Sequence, residues 1–187
     1  RLQQAASLFG ALLLLAATLW LAVHVERSGS LMVAMGNWPY PYAIAFVADR
    51  LSVIMLVITA LLGLAVLVFN ASMPDAKAPP AMMHPLIHGM LAAVCGTVLT
   101  ADLFNLYVWF ELMLITVLGL LVVHDRLRNL EAAFKYFALN LLGTLLFLAA
   151  VGLLYGVTGQ LSFAGLAEAA QQPQLQSVLP VYIAMLL

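Results

Sequence analysis

Residues 102–121 read DLFNLYVWFELMLITVLGLL, and this stretch decides the fold. Past Asp102 it carries one charged residue, Glu111, in a run that is otherwise apolar or uncharged. Twenty residues of α-helix reach about 30 Å, the thickness of a bilayer's hydrocarbon core. The stretch therefore reads as a transmembrane helix. Glu111 lies about 12 Å from Leu103 and about 18 Å from Val123 along it, close to the midplane. An ionisable group at that depth costs at least about 2.5–3.5 kcal/mol on insertion scales and usually marks an ion pathway. The bland alternative is a protonated, hydrogen-bonded carboxyl that glues two helices together.

Working outward, the 187-residue chain is 65% hydrophobic and 8% charged. Soluble domains carry roughly 25% charged residues, so the composition points to an integral membrane protein. A net charge of -1 argues against nucleic acid as a partner. One cysteine, Cys95, excludes a disulfide framework within this chain and reads as a small apolar filler.

Five spans are expected, at about 5–25, 51–70, 82–100, 103–123 and 133–155, with a sixth that starts near 178 and is cut off by the end at Leu187. The fold class is all-α, a polytopic transmembrane helix bundle within a single domain, because open sheets cannot cross lipid. The chain opens on Arg1 rather than Met and reads as an internal piece of a longer protein. GNWPYPYAIAFVADR (36–50) suits an interfacial loop with aromatic anchors. SMPDAKAPP (72–80) breaks the chain, and 158–176 should hold a short interfacial helix with Leu161, Leu166 and Ala169 on its apolar side.

With alternating crossings, Arg1, Lys77, Arg126, Arg128 and Lys135 fall on one side, and Arg27 and Arg50 on the other. Five against two places the start of the chain in the cytoplasm.

Lys135 is the obvious intrachain partner for Glu111, but depth argues against a direct pair. It lies about 3 Å into its span, while Glu111 lies about 18 Å from the same surface. A lysine stem of roughly 6 Å does not close that gap. Two readings of Lys135 stand side by side. One is a snorkelling residue paired with Glu131 at i−4, the other a relay.

Asp102 reads as a helix cap, with proton collection at the outer surface as the alternative. Asp49 and Arg50 start the second span in the same way, near Ser52, and could pair with each other. His84 and His88 share a helix face at i, i+4, a possible ligand spacing. They lack an acidic or cysteine neighbour in sequence, so they read as interfacial polar residues and no metal site is expected. His24 and His124 lie at span ends, which does not suit haem ligation. No phosphate loop, Ser-His-Asp set or HExxH motif is present.

DLFNLYVWFELMLI (102–115) resembles the fifth helix of the antiporter-like subunits shared by Mrp-type multisubunit Na+/H+ antiporters and respiratory complex I. LEAAFKYFALNLLGTLLFLAAVGLLYGVTGQLSFAGL (130–166) resembles their sixth helix and the loop after it, and residues 36–56 look most like the Mrp branch. The resemblance implies a subunit of about fourteen helices with two inverted repeats, of which this chain would hold helices two to six and the start of seven. Glu111 matches the family's midplane glutamate, and Lys135 the lysine that begins helix six. The family's glutamate works with a lysine in a broken helix seven, which should fall beyond Leu187, so this piece alone should not translocate ions.

The first reading is thus an ion-translocating subunit of a cation/proton antiporter in a bacterial inner membrane. Its partners are H+, Na+, the lipid bilayer and other subunits of the complex, and no redox cofactor is implied in this chain. Burial favours the neutral form of a carboxyl and a nearby cation favours the charged form, which makes a buried Glu–Lys pair switchable. The alternatives are a proton-pumping subunit of a complex I-like or hydrogenase complex, and a structural scaffold in which Glu111 is an anchor. No catalytic constellation suggests an enzyme.

Overall fold

The structure is a computed structural model that describes residues 2–37, 44–72, 82–123, 127–173 and 184. Along the chain it forms α1 (Leu2–Ser28), β1 (Leu31–Ala34), a 3-10 turn (Met35–Asn37), β2 (Ala45–Ala48) and α2 (Arg50–Ala71). There follow α3 (Met83–Leu99), α4 (Leu103–Val122), α5 (Leu127–Thr158) and α6 (Phe163–Ala169). The helices α1, α2, α4 and α5 are long and apolar enough to cross a membrane. The apolar α3 has 17 residues, about 25 Å of rise. The fold is an all-α membrane bundle. α5 begins six residues before its expected span, and its 32 residues rise about 48 Å, more than one upright crossing needs.

Residues 26–50, expected as a plain loop, contain an antiparallel hairpin instead. Leu31 pairs with Ala48 and Ala34 with Ala45. LMVA and AFVA mix β-prone residues with alanine, and pairing them satisfies backbone groups at a surface where water is scarce. Gly29 and Gly36 take positive φ of 82° and 72° at the entry and the bend, which only glycine adopts without strain. Trp38, Tyr40 and Tyr42 lie outside the described residues, as do residues 73–81, residues 124–126 and nearly all of the last span.

The start of α2 is capped by Asp49 as expected, but Asp49 and Arg50 do not pair. Asp49 accepts from Ser52 N at 2.7 Å and Ser52 Oγ at 2.8 Å. Arg50 turns away from it, to Glu26 Oε1 at 3.4 Å across exposed surface. The side-chain cap leaves Asp49 already occupied by donors on its own helix.

Consecutive helices are neighbours: α1 packs on α2, α3 on α4, and α4 on α5. Small residues let the backbones approach, as is usual where lipid gives no hydrophobic drive for helices to associate. At Gly96 an added Cβ would fall 2.2 Å from the Trp109 ring. Among the described residues the core forms three separate clusters: Leu103 with Val151 and Leu154, Ala11 with Leu67 and Ile87, and Val25 with Ala48 and Val53. Leu166 packs on the first of these and Ala169 is buried, so α6 presents part of the expected apolar side, while Leu161 packs on the same cluster from the turn before the helix. The outward faces stay apolar, with Phe134 and Leu139 each 72% exposed. In water such a surface would aggregate; in a bilayer it is the solvated face.

Candidate ion-translocation site

The glutamate helix is fixed at its first turn. Asp102 has extended backbone, and its side chain accepts from Asn105 N at 2.8 Å. Asn105 Nδ2 donates to Thr100 Oγ1 at 2.9 Å. Leu103 N donates to Leu161 O, and Phe163 N to Ala101 O, so the loop after α5 is tied to the α3–α4 turn. Ala101 N donates to Ala45 O, which adds the hairpin to the same junction. Asp102, Asn105, Thr100 and Ser162 are all buried there. Asp102 is therefore a structural cap, its carboxylate accepting the Asn105 N–H at the junction.

From this anchor α4 runs to Glu111, near the helix middle. The residue is half-buried, and its Oε1 is buried with no hydrogen-bond partner among the described residues. Neither ion pair among the described residues involves it. Tyr107, one turn earlier, places its hydroxyl beside the carboxylate. Trp109 Nε1 is also buried without a partner, and the Trp109 ring is held between Gly96 and Phe46, 6.2 Å from the latter. Tyr107 and Trp109 were not singled out in the sequence, although Tyr107 stands at the i−4 spacing that stacks side chains on one helix face.

Lys135 is not brought to Glu111. Its Nζ lies 2.7 Å from Glu131 Oε1, with both side chains exposed. Phe110 meets Phe147 edge-on at 6.0 Å, and Leu103 packs with Val151 and Leu154. This register leaves Lys135 about 15 Å along the axis from the level of Glu111. His84 and His88 are likewise apart from Glu111, with His88 turned toward Ser7 of α1. No group of three or more His, Cys, Asp or Glu gathers among the described residues.

Residues 100–187, which include the whole of α4 and α5, match the family model described as NADH:quinone oxidoreductase/Mrp antiporter, TM. Over 96% of its length the chain is 33% identical to the D-type subunit of the Na(+)/H(+) antiporter of Alkalihalophilus pseudofirmus, of which it covers 36%. The chain is thus similar to antiporter subunits over nearly its whole length. It is 39% identical, over 84% of its length, to the D-type subunit of a probable K(+)/H(+) antiporter of Rhizobium meliloti, of which it covers 29%. The chain thus spans about a third of the length of these antiporter-family relatives.

Two solved structures share the fold. One is a chain of the Mrp complex from Dietzia sp. DQ12-45-1b, with TM-score 0.87, 29% identity, and coverage of 100% of this chain and 35% of that one. The other belongs to the membrane-bound sulfane sulfur reductase, an archaeal respiratory membrane complex, with TM-score 0.88, 25% identity and coverage of 98% and 37%. The chain is thus a multi-pass membrane protein whose structural neighbours sit in multisubunit complexes.

Proposed function

We propose that the intact subunit translocates cations in exchange for protons, and that Glu111 is the residue through which the proton passes. The carrying observation is the carboxyl itself: Oε1 is buried near the middle of an apolar helix and has no hydrogen-bond partner among the described residues, with the Tyr107 hydroxyl beside the carboxyl. An acceptor left in that state costs free energy unless a proton, water or a moving cation visits it. The likeness to subunits named for Na+/H+ and K+/H+ antiport supports antiport over the other readings. Na+ is the cation we assign, and a bacterial inner membrane the location.

Lys135 assists from the surface rather than pairing with Glu111. The start of the chain and the stretches 75–77 and 125–129 face the cytoplasm, as the Lys and Arg distribution supports. Single cysteines at Lys77 and Arg128, in a Cys95→Ala background, should react only once an impermeant reagent reaches the inside. Labelling from outside intact cells would reverse this orientation.

The test of the proposal is Na+-driven proton movement in inverted vesicles that carry the complete complex with Glu111→Gln. Loss of exchange with normal assembly is expected. Near-normal exchange would promote the structural-anchor reading. The second reading, a redox-driven pump subunit, is favoured by the likeness to the sulfane sulfur reductase complex. Proton movement that needs an electron donor and ignores Na+ would select it.

A further inference from the structure

Among the described residues, α4 is packed on two sides and open on a third. Its α3 side sets Trp109 against Gly96, Thr116 against Gly89 and Gly119 against Leu86. Its α5 side sets Phe110 against Phe147, and Leu103 against Val151 and Leu154. At about 100° per residue, Tyr107 and Glu111 fall together on the remaining side. Phe104, Val108 and Ile115 flank them there, 46%, 45% and 62% exposed. What the Glu111 carboxyl meets on this side is therefore supplied by its own helix.

The neighbouring donors are engaged elsewhere. Thr97 on α3, Thr116 on α4 and Thr144 on α5 each give the hydroxyl to a carbonyl one turn back on the same helix. Asn140 Nδ2 donates to Tyr136 O. Tyr107 differs. Its ring leans on Phe104 at 6.2 Å, and its hydroxyl lies beside the carboxylate of Glu111. The i, i+4 spacing is the one that brings side chains together on a helix surface. A phenol donates to an ionised carboxylate and accepts from a protonated one, which suits a partner that alternates between the two states.

We infer that Tyr107 is a positioning residue for Glu111: its hydroxyl donates to the ionised carboxylate and holds it on the open side of α4. The inference rests on the proposed passage of the proton through Glu111. Tyr107 keeps its own proton throughout, and Oε1, without a partner among the described residues, is the oxygen left to receive the moving one. Other titratable groups are poorly placed for this task. At the level of Glu111, α3 offers Cys95, and α5 carries no titratable residue between Tyr136 and Tyr155. His88 lies about 9 Å and Lys135 about 15 Å away along the axis, and His84 lies a turn beyond His88. A donor to the charged form favours that form. Without the Tyr107 hydroxyl the carboxyl stays protonated to higher pH, and exchange needs a more alkaline medium.

The test is Na+-driven proton movement across a range of pH, in inverted vesicles that carry the complete complex as wild type, Tyr107→Phe or Glu111→Gln. Phenylalanine keeps the ring and removes only the hydroxyl. The pH profile of exchange in Tyr107→Phe is expected to move up by about one pH unit, with assembly unchanged. A tyrosine that served packing alone would leave the profile in place. A Tyr107→Phe profile that overlays the wild type, or moves down, overturns the inference even where Glu111→Gln abolishes exchange. Near-normal exchange in Glu111→Gln instead removes the proposed proton passage, and the inference with it. Should Tyr107→Phe fail to assemble, infrared difference spectra of the wild-type complex decide, with the Glu111 carboxyl band identified by its loss in Glu111→Gln. A tyrosine band that changes together with the Glu111 band on titration supports the inference, and a Glu111 band that titrates with no tyrosine response overturns it.

Discussion

Asp102 and Glu111 stand nine residues apart on the same helix, and they are buried in opposite senses. Asp102 is 8% exposed and takes the N–H of Asn105 into its carboxylate, while its backbone bridges to Ser162. Folding explains it fully: a helix start has free N–H groups, and an acid there satisfies one and favours the positive helix end. Glu111 has no such account. It is in mid-helix, where the backbone is already bonded to itself, and its Oε1 faces no donor. The difference between them is what the proposed role of Glu111 rests on: one acid is accounted for by folding, and the other is the proposed proton carrier.

The largest effect expected is at Glu111. Glu111→Gln should leave insertion and assembly intact, because an amide is cheaper to bury than a carboxylate, and should abolish exchange in vesicles. Glu111→Asp keeps the titrating group one methylene further back and should retain part of the activity. Asp102→Ala should do the reverse. It removes a cap worth about 0.5–2 kcal/mol, so less complex should accumulate and its thermal midpoint should fall. Exchange per assembled complex should hold. A fully assembled Asp102→Ala complex with no exchange would erase the distinction between the two acids.

Much of this was legible from residue types alone. Apolar runs about twenty residues long can only cross a membrane as helices, so the bundle followed from hydropathy and length. Asp102 was readable as a cap because the helix start and the acid coincide in sequence. Three features were not readable. The β1–β2 hairpin is stabilised by contacts with the distant 100–102 turn, through Phe46–Thr100 and Ala101–Ala45, and short apolar strands beside long apolar helices give little signal of their own. The seat of Trp109 on Gly96 depends on which faces of α3 and α4 meet, which spacing within one helix does not determine. The bond between His88 and Ser7 joins residues 81 apart, beyond any local pattern. The lack of a direct Glu111–Lys135 pair, by contrast, came from depth arithmetic, because rise per residue is fixed.

A smaller effect is expected at Lys135, whose exposed pair with Glu131 is of a kind worth about 0.3–0.5 kcal/mol. Lys135→Ala should leave assembly unchanged and lower exchange partially, in the same inverted-vesicle measurement. Complete loss with normal assembly would mean that the surface lysine reaches the Glu111 path after all. No change at all would confine Lys135 to its ion pair.

The smallest effect is expected at Asp49, which repeats the role of Asp102 at an exposed site. Its carboxyl is held below the usual carboxylate range, first by the Ser52 N–H and then by the Ser52 hydroxyl. The sign follows from that direction. A lowered folded-state value means that the charged cap stabilises the helix above the unfolded value and loses this contribution as pH falls through the folded one. At neutral pH the contribution is fully present; it fades only below the ordinary aspartate value of 3.8. Because Asp49 is exposed, solvent screens it, and Asp49→Ala should cost no more than about 1 kcal/mol. Asp49→Asn keeps an acceptor for Ser52 N without a charge to titrate. It should differ little from wild type at neutral pH and lose less stability on acidification. Thermal midpoints of the two alanine variants, measured side by side at neutral pH, test the rule that joins the two caps. Burial raises the cost of losing a hydrogen-bonded acid, so Asp102→Ala must be the more destabilising. If Asp49→Ala lowers the midpoint as far, then the junction at Asp102 is not held by its cap, and its stability must be sought in the packing of Leu103 on Val151 and Leu154.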